Sequence, residues 1–293
     1  MPALLGSPLP STLASTARLL WHPRPGLRLP TDMPSIERRL SGVRINSVWL
    51  QDYLKCTAAA NWPATQLPPL ALQIAAAPLH MAVMSDRAFP FRPLGIVHQT
   101  QQIQQWQPLS ALRAYDMHVF TGEARMENRG ISFGLVTEAW QLGTLVWRSE
   151  VRILSIQRMP EKTRQKFRTH ELSDLTPLQD ETLTVPESIG RRYARIACDY
   201  NPVHVHAWLA RPFGFRHAIA HGTWTLARAL FCTEVEASPR YTLVAQFIRP
   251  VELPSRIRVA SYPGTEPGER RLRVTEAGGT QTLLAASVKL AET

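Results

Sequence analysis

The sequence predicts an α+β chain of two similar units, each a buried helix wrapped by a curved antiparallel sheet. Two observations carry that prediction. Short entry elements, one helix and then several strand-like runs follow one another over residues 35–160, and the same order returns over 176–293. The runs are separated by turn residues: Gly130 and Gly143 in the first unit, and Pro250, Pro254, Pro263-Gly264, Pro267-Gly268 and Gly278-Gly279 in the second. The repeat is architectural, not literal. Gly95 to Val119 resembles Tyr241 to Val259 in pattern, with Pro108 near the place of Pro250. Two such units would join their sheets side by side.

Residues 1–34 contain Arg18, Arg24 and Arg28, several serines and prolines, and no acid before Asp32. That composition fits an organellar transit peptide. Pro8, Pro10, Pro23, Pro25 and Pro30 would repeatedly break a targeting helix, so the expectation is a proline-rich extension packed loosely on the body. A cytoplasmic location is expected, with the mitochondrion as the alternative. Gly42 to Trp49, with Val43, Ile45, Val48 and Trp49 apolar, suggests a strand-like entry, and Gln51 to Ala60 a short helix. Pro69 to Met84 is apolar nearly all round, as a fully buried helix should be, and Pro78 implies a kink. Strand-like runs come next at Gly95 to Gln107, Leu112 to Phe120, Ile131 to Gln141 and Thr144 to Leu154.

The charged run Glu161 to Thr169 reads as a solvated connection, within a linker over 161–175. Beyond it come a strand at Thr182 to Val185, a helix at Glu187 to Ile196, a loop, and a short helical turn at His206 to Ala210. A helix from His221 to about Val235 is next. Strands at Tyr241 to Ile248, Arg256 to Tyr262, Arg270 to Glu276 and Thr282 to Leu290 complete the chain.

Apolar residues make up 44% and charged residues 19%, the composition of a core-forming chain. Cys56, Cys198 and Cys232 lack pair spacing, which argues for a reducing compartment and against a disulfide framework or a zinc knuckle. No apolar run spans a bilayer, since Leu67 to Met84 is interrupted by Pro68, Pro69 and Pro78. The formal charge of +10 favours an anionic partner. Nucleic acid ranks last, because no helix-turn-helix, zinc or stacking-aromatic motif accompanies the charge.

Chemistry concentrates between Tyr193 and Trp224. Asp199 and His204 flank Asn201-Pro202, and proline disfavours a helical residue before it. The chain must bend there, so acid and imidazole can face one space from a rigid loop. At neutral pH an ordinary aspartate is ionised and an ordinary imidazole largely neutral. Eighteen residues after His204 a helix begins with Gly222-Thr223, offering backbone N–H groups to an oxyanion. An isolated Asp and His would read as a turn cap and a structural histidine. The Asn-Pro between them and the Ala-His-Gly downstream turn the balance towards catalysis. A metal held by Asp199, His204 and His206 is disfavoured, because Pro202 argues against a strand and no further ligand stands at spacing. Cys198 beside a carboxylate reads as a packed small residue and not as a nucleophile.

The run Asp199-Tyr200-Asn201-Pro202-Val203-His204, with Gly214-Phe215 and Ile219-Ala220-His221-Gly222, resembles the MaoC-like, R-specific enoyl-CoA hydratases. The resemblance is strong over about residues 180–260, including Phe247-Ile248-Arg249-Pro250-Val251. Over 35–160 it is architectural, where Pro78-Leu79-His80-Met81 and Phe89-Pro90-Phe91 resemble the non-catalytic half of two-hot-dog members. It implies a double hot-dog fold, with a non-catalytic domain at 35–160 and a catalytic one at 176–293. It implies that Asp199 and His204 hold and polarise water or a leaving hydroxyl, that Asn201 fixes that geometry, and that the Gly222 N–H receives the thioester oxygen. His221, Thr223, Arg195 and Phe215 join them as substrate-binding candidates. The family usually has a small hydroxylic residue and then glycine where this chain has Ala197-Cys198.

The implied reaction is reversible hydration of trans-2-enoyl thioesters to (3R)-hydroxyacyl thioesters. A hot-dog thioesterase and a non-catalytic carrier-docking protein are the alternatives. No cofactor and no metal are expected beyond the coenzyme A or acyl carrier protein of the substrate. Arg191, Arg192, Arg195, Arg211 and Arg216 would form a basic rim for its phosphates. The two units would act as a pseudo-dimer within one chain, with a homodimer of chains also allowed. Ala75, Ala76 and Ala77 beside Pro78 would leave room for a long acyl chain between them.

Overall fold

The computed structural model describes residues 3–5, 33–59, 61–92, 96–157, 176–232, 240–279 and 281–291. The chain begins with strands β1 (Leu4–Leu5) and β2 (Glu37–Ile45). Residues 3–5 are not loosely packed. Leu4 pairs with Ile45 in an antiparallel register and is buried, and the Ala3 carbonyl accepts the Asn46 N–H at 2.8 Å. The rest of the expected extension lies outside the described residues.

Asn46 sets the start of the first helix. Its side-chain oxygen accepts from the Val48 and Trp49 amides at 2.9 and 3.4 Å, a cap that stabilises a helix by about 1 kcal/mol. Helix α1 therefore runs Ser47–Cys56, and Val48 and Trp49, expected in a strand, lie in its first turn. The helix buries Trp49, Leu50, Tyr53 and Leu54 on one face. It stops short of the expected Ala60, where the Thr57 hydroxyl bonds back to the Tyr53 carbonyl at 2.9 Å and Ala58 turns to φ 54°.

The expected kinked helix is two helices, α2 (Ala71–Ala75) and α3 (Ala77–Met84), meeting at Ala76. Pro78 stands in the first turn of α3, where its missing N–H would have had no partner. It starts a helix instead of bending one. All of α2 is buried, and in α3 Ala77, Met81 and Met84 are half-buried and the rest buried, close to what the all-round apolar pattern required.

Strands β3 (Ile96–Gln105), β4 (Ala114–Glu127), β5 (Gly130–Gln141) and β6 (Thr144–Ile156) confirm the four expected runs. The second half opens with β7 (Gln179–Val185) and α4 (Ile189–Ala197). The expected loop through Asn201-Pro202 contains a one-turn helix, α5 (Pro202–Val205), followed by α6 (Ala207–Ala210) and the short strand β8 (Ala218–Ile219). Helix α7 (Gly222–Cys232) then lies on β11 and β12. The remaining strands are β9 (Tyr241–Phe247), β10 (Glu252–Leu253), β11 (Ser255–Pro263), β12 (Glu269–Glu276) and β13 (Thr282–Leu290). The expected linker and the end of the His221–Val235 helix beyond Cys232 fall outside the described residues.

Eleven strands form one antiparallel sheet in the order β1-β2-β4-β5-β6-β3-β9-β13-β12-β11-β7. Its seam is β3 against β9, from Thr100 opposite Gln246 to Gln105 opposite Tyr241. The two half-sheets thus join side by side. One contiguous core serves both, with Tyr53, Leu72, Ile103 and Trp147 from the first half packed in the same cluster as Tyr193, Leu226, Leu243 and Leu272 from the second.

Among the described residues, two hydrogen bonds cross between helices of the halves. The Trp49 indole donates to the Ile196 carbonyl at 2.9 Å, and the Trp224 indole donates to the Cys56 carbonyl at 3.0 Å. Both acceptors stand in a last helical turn, whose carbonyls have no intrahelical donor. Cys56 and Cys198 are free thiols. Among the described residues, no helix is long and apolar enough to cross a membrane.

Candidate functional site

Helix α4 carries the chain into the site. It lies directly against the turn that bears His204, and Gly190 makes this approach feasible: a Cβ there would fall 2.0 Å from the His204 carbonyl oxygen. At the other end Cys198 caps the helix in the left-handed region, φ 52° and ψ 29°. Glycine or asparagine usually takes that place, and another residue there costs roughly 1–2 kcal/mol. The Cys198 and Asp199 amides both turn back onto the Ala194 carbonyl. Burial pushes the Cys198 thiol up, which keeps it protonated and supports the reading as a packed residue.

From this turn Asp199 projects with its side chain 51% exposed. The Asn201 amide donates to Asp199 Oδ1 at 3.1 Å, which leaves Oδ2 for other work. Asn201 Oδ1 accepts the Val203 amide at 3.4 Å and so caps α5, with Pro202 in its first turn. One turn later stands His204. Its Nδ1 lies 2.8 Å from the Ile219 carbonyl, and since a carbonyl only accepts, Nδ1 carries the proton. In the neutral ring Nε2 then bears the lone pair, and it lies 4.0 Å from Asp199 Oδ2. Ile219 is itself fixed, because β8 pairs with β10 and the Ala220 amide donates to the Val251 carbonyl at 2.8 Å.

His221 belongs to the same cluster. Its ring stacks on His204 with centroids 3.8 Å apart and planes 25° apart. Its Nε2 donates to the Asp199 carbonyl at 3.0 Å and lies 3.8 Å from Asp199 Oδ2. Burial and the neighbouring His204 lower its pKa to about 4, so it is neutral at pH 7. His221 is 3% exposed and braces the Asp199 backbone.

Gly222 opens α7, and a Cβ on it would meet the Phe247 ring at 2.8 Å. Only glycine lets that ring lie so close to the helix start. Thr223 lies against the wholly buried Tyr193, whose ring in turn faces His221 at 5.2 Å. Phe215 packs on the cluster of Val203, Ala210 and Ile219, and lines an open hollow of about 390 Å³ with Arg211, Gly214, Arg216 and His217. Arg195 is exposed in the last turn of α4. The structure therefore gathers Asp199, Asn201, His204 and His221 at bonding or near-bonding distance. Gly222 and Thr223 are the next residues along the chain. Among the described residues, no hydrogen bond or ion pair joins Arg195 or Phe215 to that cluster.

One neighbour escaped the sequence. His98, on β3 of the first half, lies 4.3 Å from Phe247 between ring centroids and within electrostatic reach of Asp199. Its Nε2 donates to the Thr100 carbonyl at 3.1 Å, and burial lowers its pKa to about 4. No local spacing marks it, because only the β3–β9 seam brings it there.

The profile of the family described as "MaoC like domain" matches residues 168–278. A curated relative, 3-hydroxyacyl-thioester dehydratase X of Mycobacterium tuberculosis, is 29% identical over 178 residues. That match covers 61% of this chain and 63% of the relative. The crystal structure of HtdX from the same organism superposes with a TM-score of 0.73 at 23% identity, covering 87% of this chain and 100% of that one. A MaoC-like dehydratase from Phytophthora capsici gives 0.69 at 14% identity, over 89% of this chain and 96% of the other. Residues 168–278 thus match the MaoC-like domain family, in a chain that shares the hot-dog fold of the solved MaoC-like dehydratases.

Proposed function

We propose that the chain adds water reversibly across the double bond of trans-2-enoyl thioesters to give (3R)-hydroxyacyl thioesters, or removes it in the opposite direction. The observation that supports this best is the 4.0 Å gap between Asp199 Oδ2 and His204 Nε2. It is too long for a direct hydrogen bond and short enough for one oxygen to contact both. Water fits there, donating one hydrogen to the carboxylate and the other to the lone pair that the Ile219 carbonyl fixes on Nε2. A 3-hydroxyl donates its single hydrogen to the carboxylate and, when Nε2 is protonated for dehydration, accepts from it.

In hydration, His204 Nε2 takes a proton from the water as its oxygen bonds C3, while Asp199 holds that oxygen in place. The double-bond electrons move through C2 to the thioester oxygen, where the Gly222 N–H at the start of α7 would meet the developing charge. A proton delivered from the pair to C2 completes the addition, and dehydration retraces the steps. The relative's name, a 3-hydroxyacyl-thioester dehydratase, agrees with this reading. Arg211, Arg216 and His217, around the hollow beside Phe215, suit the phosphates of coenzyme A or of a carrier's prosthetic arm.

The same residues fit a metal less well. Asp199, His204 and His221 present ligand atoms within 4.8 Å of one another. The His221 nitrogen nearest the carboxylate, however, already donates its proton to the Asp199 carbonyl. Ligation through that atom would require exchanging the tautomer and breaking the bond.

Purified protein mixed with crotonyl-CoA and longer trans-2-enoyl-CoAs should consume the enoyl absorbance. Asp199→Asn and His204→Ala should each lower kcat by about 10²–10⁴-fold with an unchanged circular dichroism spectrum. Near-normal turnover by either folded variant refutes the mechanism.

A further inference from the structure

We infer that Trp49, in the half without an acid–base pair, is a positioning residue for Asp199. The inference rests on reading Asp199 as the reacting carboxylate. Its side chain is half exposed, so packing does not hold it, and its place is set by the Asn201 amide on Oδ1 and by the backbone beneath. That backbone leaves α4 through Cys198, a residue in the left-handed region where a side chain is strained. Such a turn persists only where its surroundings over-determine it.

Among the described residues, four hydrogen bonds do so here. The Cys198 and Asp199 amides turn back onto the Ala194 carbonyl, the latter at 3.2 Å, and His221 Nε2 donates to the Asp199 carbonyl at 3.0 Å. These three come from the second half. The fourth is the Trp49 indole N–H, 2.9 Å from the Ile196 carbonyl, three residues before Asp199. The indole is 2% exposed and stacks on Tyr53 with centroids 5.6 Å apart and planes 19° apart, so the donor is locked in direction. Trp49 thus fixes the last turn of α4 from outside, and the 4.0 Å gap to His204 depends on where that turn ends.

The Trp224 indole makes the mirror contact, onto the Cys56 carbonyl at the end of α1. It does so from the first turn of α7, two residues after Gly222, so the test stays at position 49. In the full-length protein, Trp49→Phe deletes the donor and keeps a ring. Benzothienylalanine at position 49 keeps the indole shape with sulfur in place of N–H, so that variant separates the hydrogen bond from the packing. Both should lower kcat about tenfold with KM within twofold, in line with the sensitivity of catalysis to misplacement on the order of 1 Å. A benzothienylalanine variant with full kcat overturns the inference. An active Asp199→Asn protein would instead defeat the reading of the site itself. A dead Asp199→Asn beside a fully active benzothienylalanine variant defeats only the role of Trp49.

Discussion

The two halves share their parts and differ in one connection. Each has an entry helix, α1 or α4, that ends in a non-glycine residue at positive φ, Ala58 at 54° and Cys198 at 52°. Each then leads to a central helix on its sheet. In the first half the intervening segment is tied to its own strand connections, with the Leu67 amide on the Leu109 carbonyl at 2.9 Å and Gln66 bridged to Ser110. In the second half the corresponding segment contains α5, α6 and β8, and holds Asp199 and His204. The histidines tell the same story. His80 on α3 is buried and bonded to the Thr137 hydroxyl at 2.8 Å, a satisfied core group. His204 is pinned at Nδ1 and left with a lone pair facing a carboxylate. In the proposed reading chemistry is a property of the connection, and the helix-on-sheet scaffold is common to both halves.

The strongest way to break the comparison is to remove the first half. Residues 176–293 alone would expose the β9 edge and lose the Trp49 contact. An unpaired edge beside an apolar face aggregates. Expression of that fragment should yield insoluble protein, and a soluble, fully active fragment would show that the first half is dispensable.

Acid should act on both halves. Unfolded histidine takes up a proton below about 6.5, whereas burial holds His80, His98 and His221 neutral down to about 4. Between these values the unfolded chain binds more protons, so stability falls as pH drops through the window. The slope of unfolding free energy against pH should approach three protons near pH 5. His80→Leu should reduce it by about one proton while sparing turnover, and denaturant titrations across pH 4–7 measure both.

The smallest effects compare the two helix ends. Ala58→Gly and Cys198→Gly each remove strain at positive φ and should gain roughly 0.5–1 kcal/mol in thermal melts. Only Cys198→Gly touches the site, and its turnover should equal or exceed that of the parent. Abolished turnover in a folded Cys198→Gly protein would point to thiol chemistry.

The motif is legible in the sequence because its geometry is local. Asn201-Pro202 dictates both a bend and a helix start, and the structure uses both, although the spacing alone predicts only a loop where α5 makes its turn. The paired strands are legible from their turns. The hidden features depend on single polar groups or on distant partners. Asn46 converts the apolar Val48 and Trp49 from an apparent strand into a helix by accepting two amides. Pro78 starts α3 because a helix end happens to precede it. Trp49 and its acceptor Ile196 are 147 residues apart, and no local pattern records such a bond.

The β3–β9 seam has a consequence for inheritance. In a symmetric pair of identical subunits, every substitution at the contact is made twice, once on each side of the axis. Joining the units in one chain abolishes that duplication. His98 on one side can drift towards Phe247 on the other without any reciprocal change, so one unit becomes free to specialise in reach and support while its sibling keeps the reactive groups. A single gene then carries two separately mutable copies of one design.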